Sequence, residues 1–335
     1  MPTMPAVAVT ESLPITNPHS LVDVKLPVPT PGPNDLLVEV RAVSVNPIDV
    51  KIREGAGKPA EPLVLGFDGA GQVRAVGEAV EEFKVGDEVW FAGDRTRPGS
   101  YARYTLIDQR VASRRPGTLP AAAAAALPLT AITASEALRE HIGLSDDDAF
   151  LMVGGAGGVG SMAIQIARTL TTGPVIATAS RPESDEWCRN LGADATIDHH
   201  RPLADQVQEL GVEGFNGVLS AYSAGREGDF AEIMAPFGTL VVIDAMPNLN
   251  TNALKPKSLA VVAESMFTRT QFHTSDIAEQ GRILARVAEL VESGRIRTTM
   301  TERLKGINAA TLRKATEMVE SGHIIGKVVV EADAW

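Results

Sequence analysis

Cysteine is nearly absent from this sequence, which has Cys188 as its single thiol among 335 residues. One cysteine cannot form a disulfide within the chain, so nothing here indicates export to an oxidising compartment. Structural zinc sites that need four closely spaced cysteines are excluded as well. The histidines show no metal-ligand spacing; they are His19, His141, His199, His200, His273 and His323. We therefore predict that the protein binds no metal.

Positive charge and long apolar runs are also scarce. Lysine and arginine number 31 against 42 aspartate and glutamate residues, which gives a net charge of −11. This balance argues against a nucleic-acid partner, whose phosphates require a basic surface, and it provides no basic patch for an acidic membrane surface. The N-terminus lacks the basic and apolar regions of a signal peptide, and the apolar stretch 121–126 is too short to span a membrane. We expect a cytoplasmic protein without a nucleic-acid or membrane partner.

Glycine is concentrated in the middle of the chain, where Gly155, Gly157 and Gly160 fit the pattern G-x-G-x-x-G. An apolar stretch precedes the glycines and a helical pattern follows, which is the strand, turn and helix context of a dinucleotide site. We expect Gly155 to permit a tight turn, Gly157 to let a pyrophosphate approach the backbone, and Gly160 to let the helix pack closely. Free N–H groups at the helix start, where Gly158 and Val159 lie, would face the anion.

An acidic residue is missing at the end of the next predicted strand, 175–179. An NAD site usually has Asp or Glu about 20 residues after the glycines, where it binds the ribose 2′-hydroxyl. Here Ser180 and Arg181 follow the strand, and a hydroxyl with a guanidinium suits a 2′-phosphate. We therefore predict NADPH as the cofactor; the alternative is that Arg181 is a solvated loop arginine. His199, after a further short strand, either adds a donor near the adenosine end or is an ordinary surface histidine.

The order of the predicted elements indicates two domains. Short strands with frequent turn residues fill the first 115 residues and predict a small barrel. From about residue 120, strands alternate with helices, which is the pattern of βαβ units and a parallel sheet. Near residue 272 this alternation ends, and a closing helix, which Asn308 can cap, and a closing strand are expected to return to the first domain. We predict an α/β protein with a discontinuous domain, 1–124 and 272–335, and a continuous domain, 125–271.

Seven short motifs are spread along the chain. They are V-N-P-I-D-V-K at 45–51, G-F-D-G-A-G at 66–71, V-G-D-E-V at 85–89, G-S-Y-A-R-Y at 99–104, A-G-G-V-G at 156–160, L-G-A-D at 191–194 and G-K-V-V at 326–329. With them the chain resembles the medium-chain dehydrogenase/reductase superfamily, and within it the zinc-free quinone oxidoreductase branch with its bacterial zinc-type alcohol dehydrogenase-like proteins. The resemblance implies a GroES-like β-barrel catalytic domain and a Rossmann cofactor domain with a doubly wound parallel sheet.

The same resemblance implies roles for single residues in the barrel domain. Zinc members of the family hold the metal with a cysteine and a histidine where this chain has Asn46 and Phe67, and neither residue can ligate zinc. Asn46 would lie beside the nicotinamide, where its amide orients the ring or meets a developing oxyanion. Lys51 would assist electrostatically and Asp49 would orient it; the alternative is a surface salt bridge between the two.

Three more residues are implied at the cofactor. Thr130 resembles the family threonine near the nicotinamide ribose. Phe267 would help to cover the cofactor, or else would pack in the core. Lys327 would approach the phosphates, or else would be an exposed residue of its strand.

Two classes of function fit these observations. The first is an NADPH-dependent enzyme that transfers hydride to quinones or α,β-unsaturated carbonyls without zinc. Reduction of enoyl thioesters is the alternative within this class, although no proton donor for it can be identified. The second class is a non-enzymatic NADPH-binding protein with a regulatory or structural role. A pocket blocked by Phe67, Phe91 or the loop 95–98 would favour that second class.

The apolar segment 259–263 predicts the outermost strand of the parallel sheet. An apolar edge invites pairing with another chain, and family members commonly pair there across a twofold axis. We therefore predict a homodimer through residues near 259–266. The alternative is a monomer in which the helix 276–292 covers this edge.

Overall fold

The computed structural model describes residues 2–333, which form two compact units. The first unit is discontinuous, since it ends at Leu129 and resumes at Phe267. The second unit is the continuous segment Thr130–Met266. These divisions lie a few residues from the predicted domain boundaries.

The first part of the discontinuous unit consists mainly of short strands. Its elements in chain order are β1 (Thr3–Val9), β2 (Val22–Pro27), β3 (Asp35–Ser44), α1 (Pro47–Gly55), β4 (Leu63–Val64), β5 (Asp68–Val76), β6 (Glu88–Phe91), β7 (Tyr104–Asp108), β8 (Ala112–Arg114) and α2 (Ala121–Ala125). The strands are short because glycine, proline and aspartate recur between them and favour turns.

β3 is the strand on which this unit is built. It pairs antiparallel with both β5 and β7. Val40 and Val43 pack into one apolar cluster with β1, whereas Leu36 and Val38 pack into a second cluster with β6. The strand is therefore buried along nearly its whole length, which explains why apolar residues occupy both of its faces, at 36–38, 40 and 42–43.

Strands and helices alternate in the second unit. Its elements, with the helix that leads into it, are α3 (Pro128–Ser135), β9 (Phe150–Val153), α4 (Gly158–Ala167), β10 (Val175–Thr178), α5 (Pro182–Asn190), β11 (Ala195–Ile197), α6 (Leu203–Glu209), β12 (Phe215–Ser220), α7 (Glu227–Ile233), β13 (Met234–Val242), α8 (Thr251–Leu254) and β14 (Ala260–Ala263). All strand pairs are parallel, in the order β11-β10-β9-β12-β13-β14.

This order has a consequence for ligand binding. The strand sequence runs outward from β9 in one direction and from β12 in the other, so the topological switch point lies between these two strands. Open α/β sheets bind ligands outside the carboxyl ends of the strands at this point. The predicted doubly wound parallel sheet is confirmed, and β14 is its outermost strand as predicted.

The rest of the chain adds five elements to the first unit. They are α9 (Thr268–Gln271), α10 (Glu279–Glu292), β15 (Met300–Lys305), α11 (Ala309–Glu320) and β16 (Lys327–Glu331). The side chain of Asn308 caps α11, as predicted, by accepting the Thr311 N–H at 3.0 Å. β16 lies between β15 and β3, and Val329 is paired with Ser44.

One helical run is more apolar than the sequence analysis recognised. α2, α3 and a π-helical segment, Glu136–Ile142, make a run of 22 residues, Ala121–Ile142. By length and composition alone this run could cross a membrane, contrary to the expectation from the six-residue stretch. However, 94% of its apolar window is buried inside the protein, as in the core helix of a globular protein, so it is weak evidence for a membrane span.

Candidate functional site

The glycine turn leaves β9 at Gly154, whose φ of +90° favours glycine. The Gly154 N–H donates to Oγ1 of Thr178 at 2.9 Å, and the Gly155 N–H donates to the Thr178 carbonyl oxygen at 3.1 Å. Gly154 is thus the residue whose backbone is left-handed in this turn. The prediction that Gly155 permits the tight turn is corrected accordingly. Gly155 lacks a side chain for another reason, since a Cβ there would lie 2.7 Å from Cβ of Ala177 and 2.9 Å from Sγ of Cys188.

Gly157 and Gly160 differ in what the fold requires of them. A Cβ on Gly160 would overlap the carbonyl oxygen of Gly154, so α4 can approach the turn only with glycine there. A Cβ on Gly157 would have its nearest neighbour, the same oxygen, at 3.5 Å, which is an ordinary contact. The φ of Gly157 is −73°, which suits any residue. Packing within the protein therefore does not demand glycine at 157, whereas a ligand lying against this backbone would.

The start of α4 offers backbone donors. No side chain caps this helix, whose first residues are Gly158 and Val159. The first backbone N–H groups of a helix have no carbonyl partner within it, and they lie at the positive end of the helix dipole. Such an N-terminus beside a glycine turn suits a pyrophosphate.

The ends of β10 and β11 carry the predicted adenosine-side residues. Ser180 and Arg181 are exposed, and Arg181 precedes Pro182 at the start of α5. His199 is half-buried with its ring 4.2 Å from that of His200, and its Nδ1 is buried without a hydrogen-bond partner. Burial, together with the neighbouring His200, lowers the pKa of His199. His199 is therefore neutral at pH 7 and can offer an N–H rather than a positive charge.

Polar residues at the ends of β12 and β13 were missed in the sequence analysis. The Ser223 N–H donates to Oδ2 of Asp244 at 2.7 Å. Oγ of Ser223 and Oδ1 of Asp244 are buried and have no hydrogen-bond partner. The available signal was the placement of these polar residues just after two apolar strands, at the edge where parallel sheets bind ligands.

A buried polar cluster surrounds Asp68 in the first unit. Oδ2 of Asp68 accepts hydrogen bonds from Ser44 Oγ at 2.5 Å and from Asn46 Nδ2 at 2.8 Å, and Lys327 Nζ lies 3.3 Å from it. Oδ1 accepts the Leu129 N–H at 2.7 Å. Lys327 also donates to Oδ1 of Asn46. A buried carboxylate and ammonium are thus paired and hydrogen-bonded, as burial of charge requires.

This cluster changes the interpretation of two predicted residues. Asn46 is 1% exposed, and its amide is held on both sides by Asp68 and Lys327. Lys327 is 4% exposed, and its ammonium is paired with Asp68 instead of projecting toward cofactor phosphates or from the surface. Sequence reasoning missed Asp68 and Ser44, although a charged residue at the first position of a buried strand, β5, was a usable signal.

Asp49 is buried rather than at a surface rim. Its Oδ2 accepts the Asn46 N–H at 2.8 Å and its Oδ1 accepts the Gly66 N–H at 3.0 Å. Burial raises the pKa of Asp49 to about 7, although these two N–H groups and the charge of Lys327 oppose the shift. Lys51 is exposed. The expectation that Asp49 orients Lys51 is wrong, because residues two apart on a helix face different directions and both Asp49 oxygens are bonded elsewhere.

An aromatic-lined cavity of about 340 Å³ lies in the first unit. Phe67 and Phe91 line it, together with the loop residues Arg97 and Pro98. The Phe67 ring packs edge to face against Phe267, with ring centroids 4.8 Å apart, and the guanidinium of Arg95 lies over Phe267. Phe267, predicted to cover the cofactor, is 4% exposed and packs on Phe67. The residues expected to block a pocket therefore leave a cavity that can hold a small ring.

Two remaining site predictions concern Thr130 and the metal. Thr130 lies in α3 and is 2% exposed. Between residues 2 and 333, no three or more His, Cys, Asp or Glu side chains are grouped so as to hold a metal ion.

Comparison with known proteins places these features in a family. Residues 32–117 match the family model of the alcohol dehydrogenase GroES-like domain, and residues 191–330 match that of zinc-binding dehydrogenases. A zinc-type alcohol dehydrogenase-like protein of Staphylococcus aureus (strain MSSA476) is 36% identical over 310 residues, which are 90% of this chain and 92% of that protein. The chloroplastic quinone-oxidoreductase QR1 of Triphysaria versicolor is 28% identical over 93% of this chain and 94% of its own.

A solved structure agrees with this placement. A Rhizobium etli CFN 42 protein, described as a zinc-dependent alcohol dehydrogenase, is 46% identical, and all of each chain is covered at a TM-score of 0.97. The predicted GroES-like barrel and Rossmann domain are confirmed by these matches.

Proposed function

Since the chain belongs to the medium-chain dehydrogenase/reductase superfamily, we propose that it is an oxidoreductase that uses NADPH to reduce quinones or α,β-unsaturated carbonyls without zinc. The observation that carries the proposal is the glycine turn, where packing requires Gly155 and Gly160 but not Gly157. A glycine that the protein itself does not need indicates a ligand close to the backbone.

The second unit supplies the residues that would hold the cofactor. The N–H groups of Gly158 and Val159 would bind its pyrophosphate, and Ser180 and Arg181 would bind the 2′-phosphate. The neutral ring of His199 would add a donor. Thr130 is proposed at the nicotinamide ribose on the strength of the family resemblance. When bound, NADPH supplies a hydride for an electron-poor carbon.

The first unit supplies the residues that would orient the reaction. Lys327 and Asp68 hold the amide of Asn46 in one direction. An amide nitrogen has two hydrogens, and the bond to Asp68 uses one of them. The other would orient the nicotinamide or meet negative charge that develops on the substrate oxygen. The aromatic cavity at Phe67 and Phe91 would hold a flat, apolar ring, which favours an enzyme over a non-catalytic NADPH-binding protein.

Oxidation of NADPH in the presence of a panel of substrates tests this proposal. We expect turnover with a simple quinone or an enone, at rates well above those with an enoyl thioester. Faster turnover with the thioester would favour the alternative reductase. Tight NADPH binding without turnover of any member of the panel would favour the non-enzymatic function.

Arg181→Ala should separate the two nicotinamide cofactors. Loss of a charged hydrogen bond to the 2′-phosphate costs about 1.5–3 kcal/mol, so NADPH affinity should fall roughly tenfold to a hundredfold while NADH affinity stays constant. Calorimetric titration of both cofactors measures this. Arg189→Ala is the matched control, since Arg189 is an exposed arginine of α5, the helix that Arg181 precedes, and it pairs with Asp185 within that helix. Equal affinity of the wild type for NADH and NADPH would contradict the assignment.

Removal of metal should leave the activity intact. Asn46 and Phe67 offer neither thiolate nor imidazole at the positions where zinc members of the family bind their catalytic ion. We expect elemental analysis of the purified protein to find far less than one zinc per chain, and turnover to survive dialysis against a chelator. Stoichiometric zinc, together with activity that chelation abolishes and zinc restores, would refute this.

Assembly as a homodimer is proposed through the edge of β14. Ala260 and Ala263 of this strand are exposed, and the edge has free backbone groups. Light scattering at micromolar concentration should give the mass of two chains. Ala263→Pro, which removes an N–H that faces the free edge of β14, and Ala260→Lys should both reduce the mass to one chain, whereas Leu210→Lys, at an exposed residue just after α6, should not. A monomeric wild type would rule out the dimer, and a dimer unaffected by both β14 variants would rule out this interface.

A further inference from the structure

Two buried polar atoms on neighbouring side chains of the second unit have no hydrogen-bond partner. Ser223 is fully buried, and its hydroxyl has no hydrogen-bond partner. Oδ2 of Asp244 accepts the Ser223 N–H, while its Oδ1 is buried and also unpartnered. A buried polar group without a hydrogen bond is destabilising. Two such groups on residues that are hydrogen-bonded to each other indicate a ligand that forms a hydrogen bond with each of them.

The position of this pair in the sheet supports a ligand. Ser223 follows β12 and Asp244 follows β13, so both lie at the carboxyl ends of parallel strands. The residue before Ser223, Tyr222, is 60% exposed, and its ring lies against the glycine turn, since a Cβ on Gly154 would be 3.0 Å from Cε2 of Tyr222. The pair therefore lies on the β12 side of the switch point, whereas Arg181 follows β10 on the other side.

The chemistry of the pair is selective. A serine hydroxyl can donate a hydrogen bond, and a carboxylate can only accept one. A neighbouring donor and acceptor match a primary carboxamide, whose oxygen accepts and whose nitrogen donates. A phosphate is disfavoured because Asp244 is an acid. In a dinucleotide that spans the switch point with its 2′-phosphate at Arg181, the opposite side receives the nicotinamide half.

The geometry points to Ser223 and Asp244 as the residues that bind the carboxamide of the nicotinamide ring, with the Ser223 hydroxyl donating to the carboxamide oxygen and Asp244 Oδ1 accepting from its nitrogen. This assignment rests on the proposed use of NADPH. It gives the nicotinamide half a recognition site made of side chains, beyond the glycine turn and Arg181, which recognise the other half.

Binding of whole and partial cofactors tests the assignment without any measurement of activity. Ser223→Ala removes the donor, and Asp244→Asn turns an acceptor toward the ligand into a donor. Calorimetric titration with NADPH and with 2′,5′-ADP, which has the adenosine phosphates but no nicotinamide, should separate the two halves. We expect each variant to weaken NADPH roughly tenfold to a hundredfold and to leave 2′,5′-ADP unchanged. Arg181→Ala should weaken both ligands.

Unchanged 2′,5′-ADP binding also shows that the variants are folded. If they bind NADPH as tightly as the wild type, the assignment is overturned and the proposed function is not. If they bind NADPH and 2′,5′-ADP equally weakly while circular dichroism shows that they are folded, the partner lies in the adenosine half and the assignment is overturned. A wild type that binds neither ligand would overturn the proposed function and this assignment together.

A third ligand separates the carboxamide from the ribose hydroxyls, which are also donors. In the acetylpyridine analogue of NADP⁺, a methyl group replaces the carboxamide nitrogen while the ribose is kept. We expect Asp244→Asn to weaken NADP⁺ but not the analogue. If the variant weakens NADP⁺ and the analogue equally, Asp244 contacts the ribose and the assignment is overturned.

Discussion

The free energy of unfolding of the wild-type protein should fall as pH rises from about 4 to about 7, and Asp49→Asn should abolish the part of this fall that comes from Asp49. Burial raises the pKa of Asp49 from 3.8 to about 7, so in this range the folded protein holds a proton that the unfolded chain has released. Stability therefore falls as pH rises, and the contribution of the buried acid is fully present only below the unfolded pKa. A shift of about three units corresponds to roughly 4 kcal/mol, at 1.36 kcal/mol per unit.

Urea denaturation of both proteins at a series of pH values measures this effect. The asparagine cannot satisfy both N–H donors of Asn46 and Gly66, so we expect a constant offset in the free energy of unfolding. The informative quantity is the difference in unfolding free energy between variant and wild type, which should shift in favour of the variant as pH rises from about 4 to about 7 and stay constant above that. If plots of the unfolding free energy against pH stay parallel for the two proteins from pH 4 to pH 8, the pKa of Asp49 is not raised by folding.

Asp35→Asn is a control with the opposite sign. Burial raises the pKa of Asp35, but hydrogen bonds from Arg97 at 2.8 and 2.9 Å and from the Gly32 N–H outweigh it, so the pKa is lowered overall. The contribution of this carboxylate is present above its unfolded pKa and is lost as pH falls through the folded value. The difference between this variant and the wild type should therefore grow toward neutral pH in favour of the wild type.

Gly160→Ala and Gly157→Ala should have opposite consequences although they lie three residues apart. A Cβ on Gly160 meets the backbone carbonyl of Gly154, which cannot move aside as a side-chain tip would. Overpacking of this kind typically costs about 1–3 kcal/mol. A Cβ on Gly157 meets no atom closer than 3.5 Å, so the free energy of unfolding should change by less than about 1 kcal/mol, because the gain in chain stiffness and the poorer helix cap offset each other.

The two variants should rank in the opposite order when NADPH affinity is measured instead of stability. The methyl group of Gly157→Ala would occupy the space where the cofactor pyrophosphate approaches the backbone, so we expect NADPH affinity to fall at least about tenfold. Thermal denaturation and calorimetric titration on the same samples separate the two effects. A Gly157→Ala protein that binds NADPH like the wild type would show that the turn holds no pyrophosphate.

Local sequence patterns predicted much of this fold. The apolar runs of β3 and β9, the glycines after β9 and the Asn308 cap of α11 are set by residues close together in the chain, so a window of the sequence contains them. β15 was not predicted, because four of its six residues are polar or charged, its side chains are largely exposed, and it is the edge strand of its sheet beside β16. A strand without a buried face has no alternating apolar pattern.

The candidate site was predicted less completely than the fold. The residues of the glycine turn follow one another in the sequence and were identified together. The Asp68 cluster was not, because Lys327 and Asn46 are 281 positions apart and only the pairing of β16 with β3 brings them together. Asp49 and Lys51 were assigned to one rim because the helix α1 was not recognised, and helical geometry separates their directions.

The position of β16 has a consequence for the order in which the protein is made. The second unit is one continuous segment and has all its residues once the ribosome has passed Met266. The first unit emerges earlier, yet a central strand of its sheet and the ammonium that pairs with Asp68 come from residues 327–331. Domains generally fold as units during synthesis. Here the later-synthesised unit can fold first, while residues 42–44 of β3 lack their β16 partner until residues 327–331 have left the ribosome.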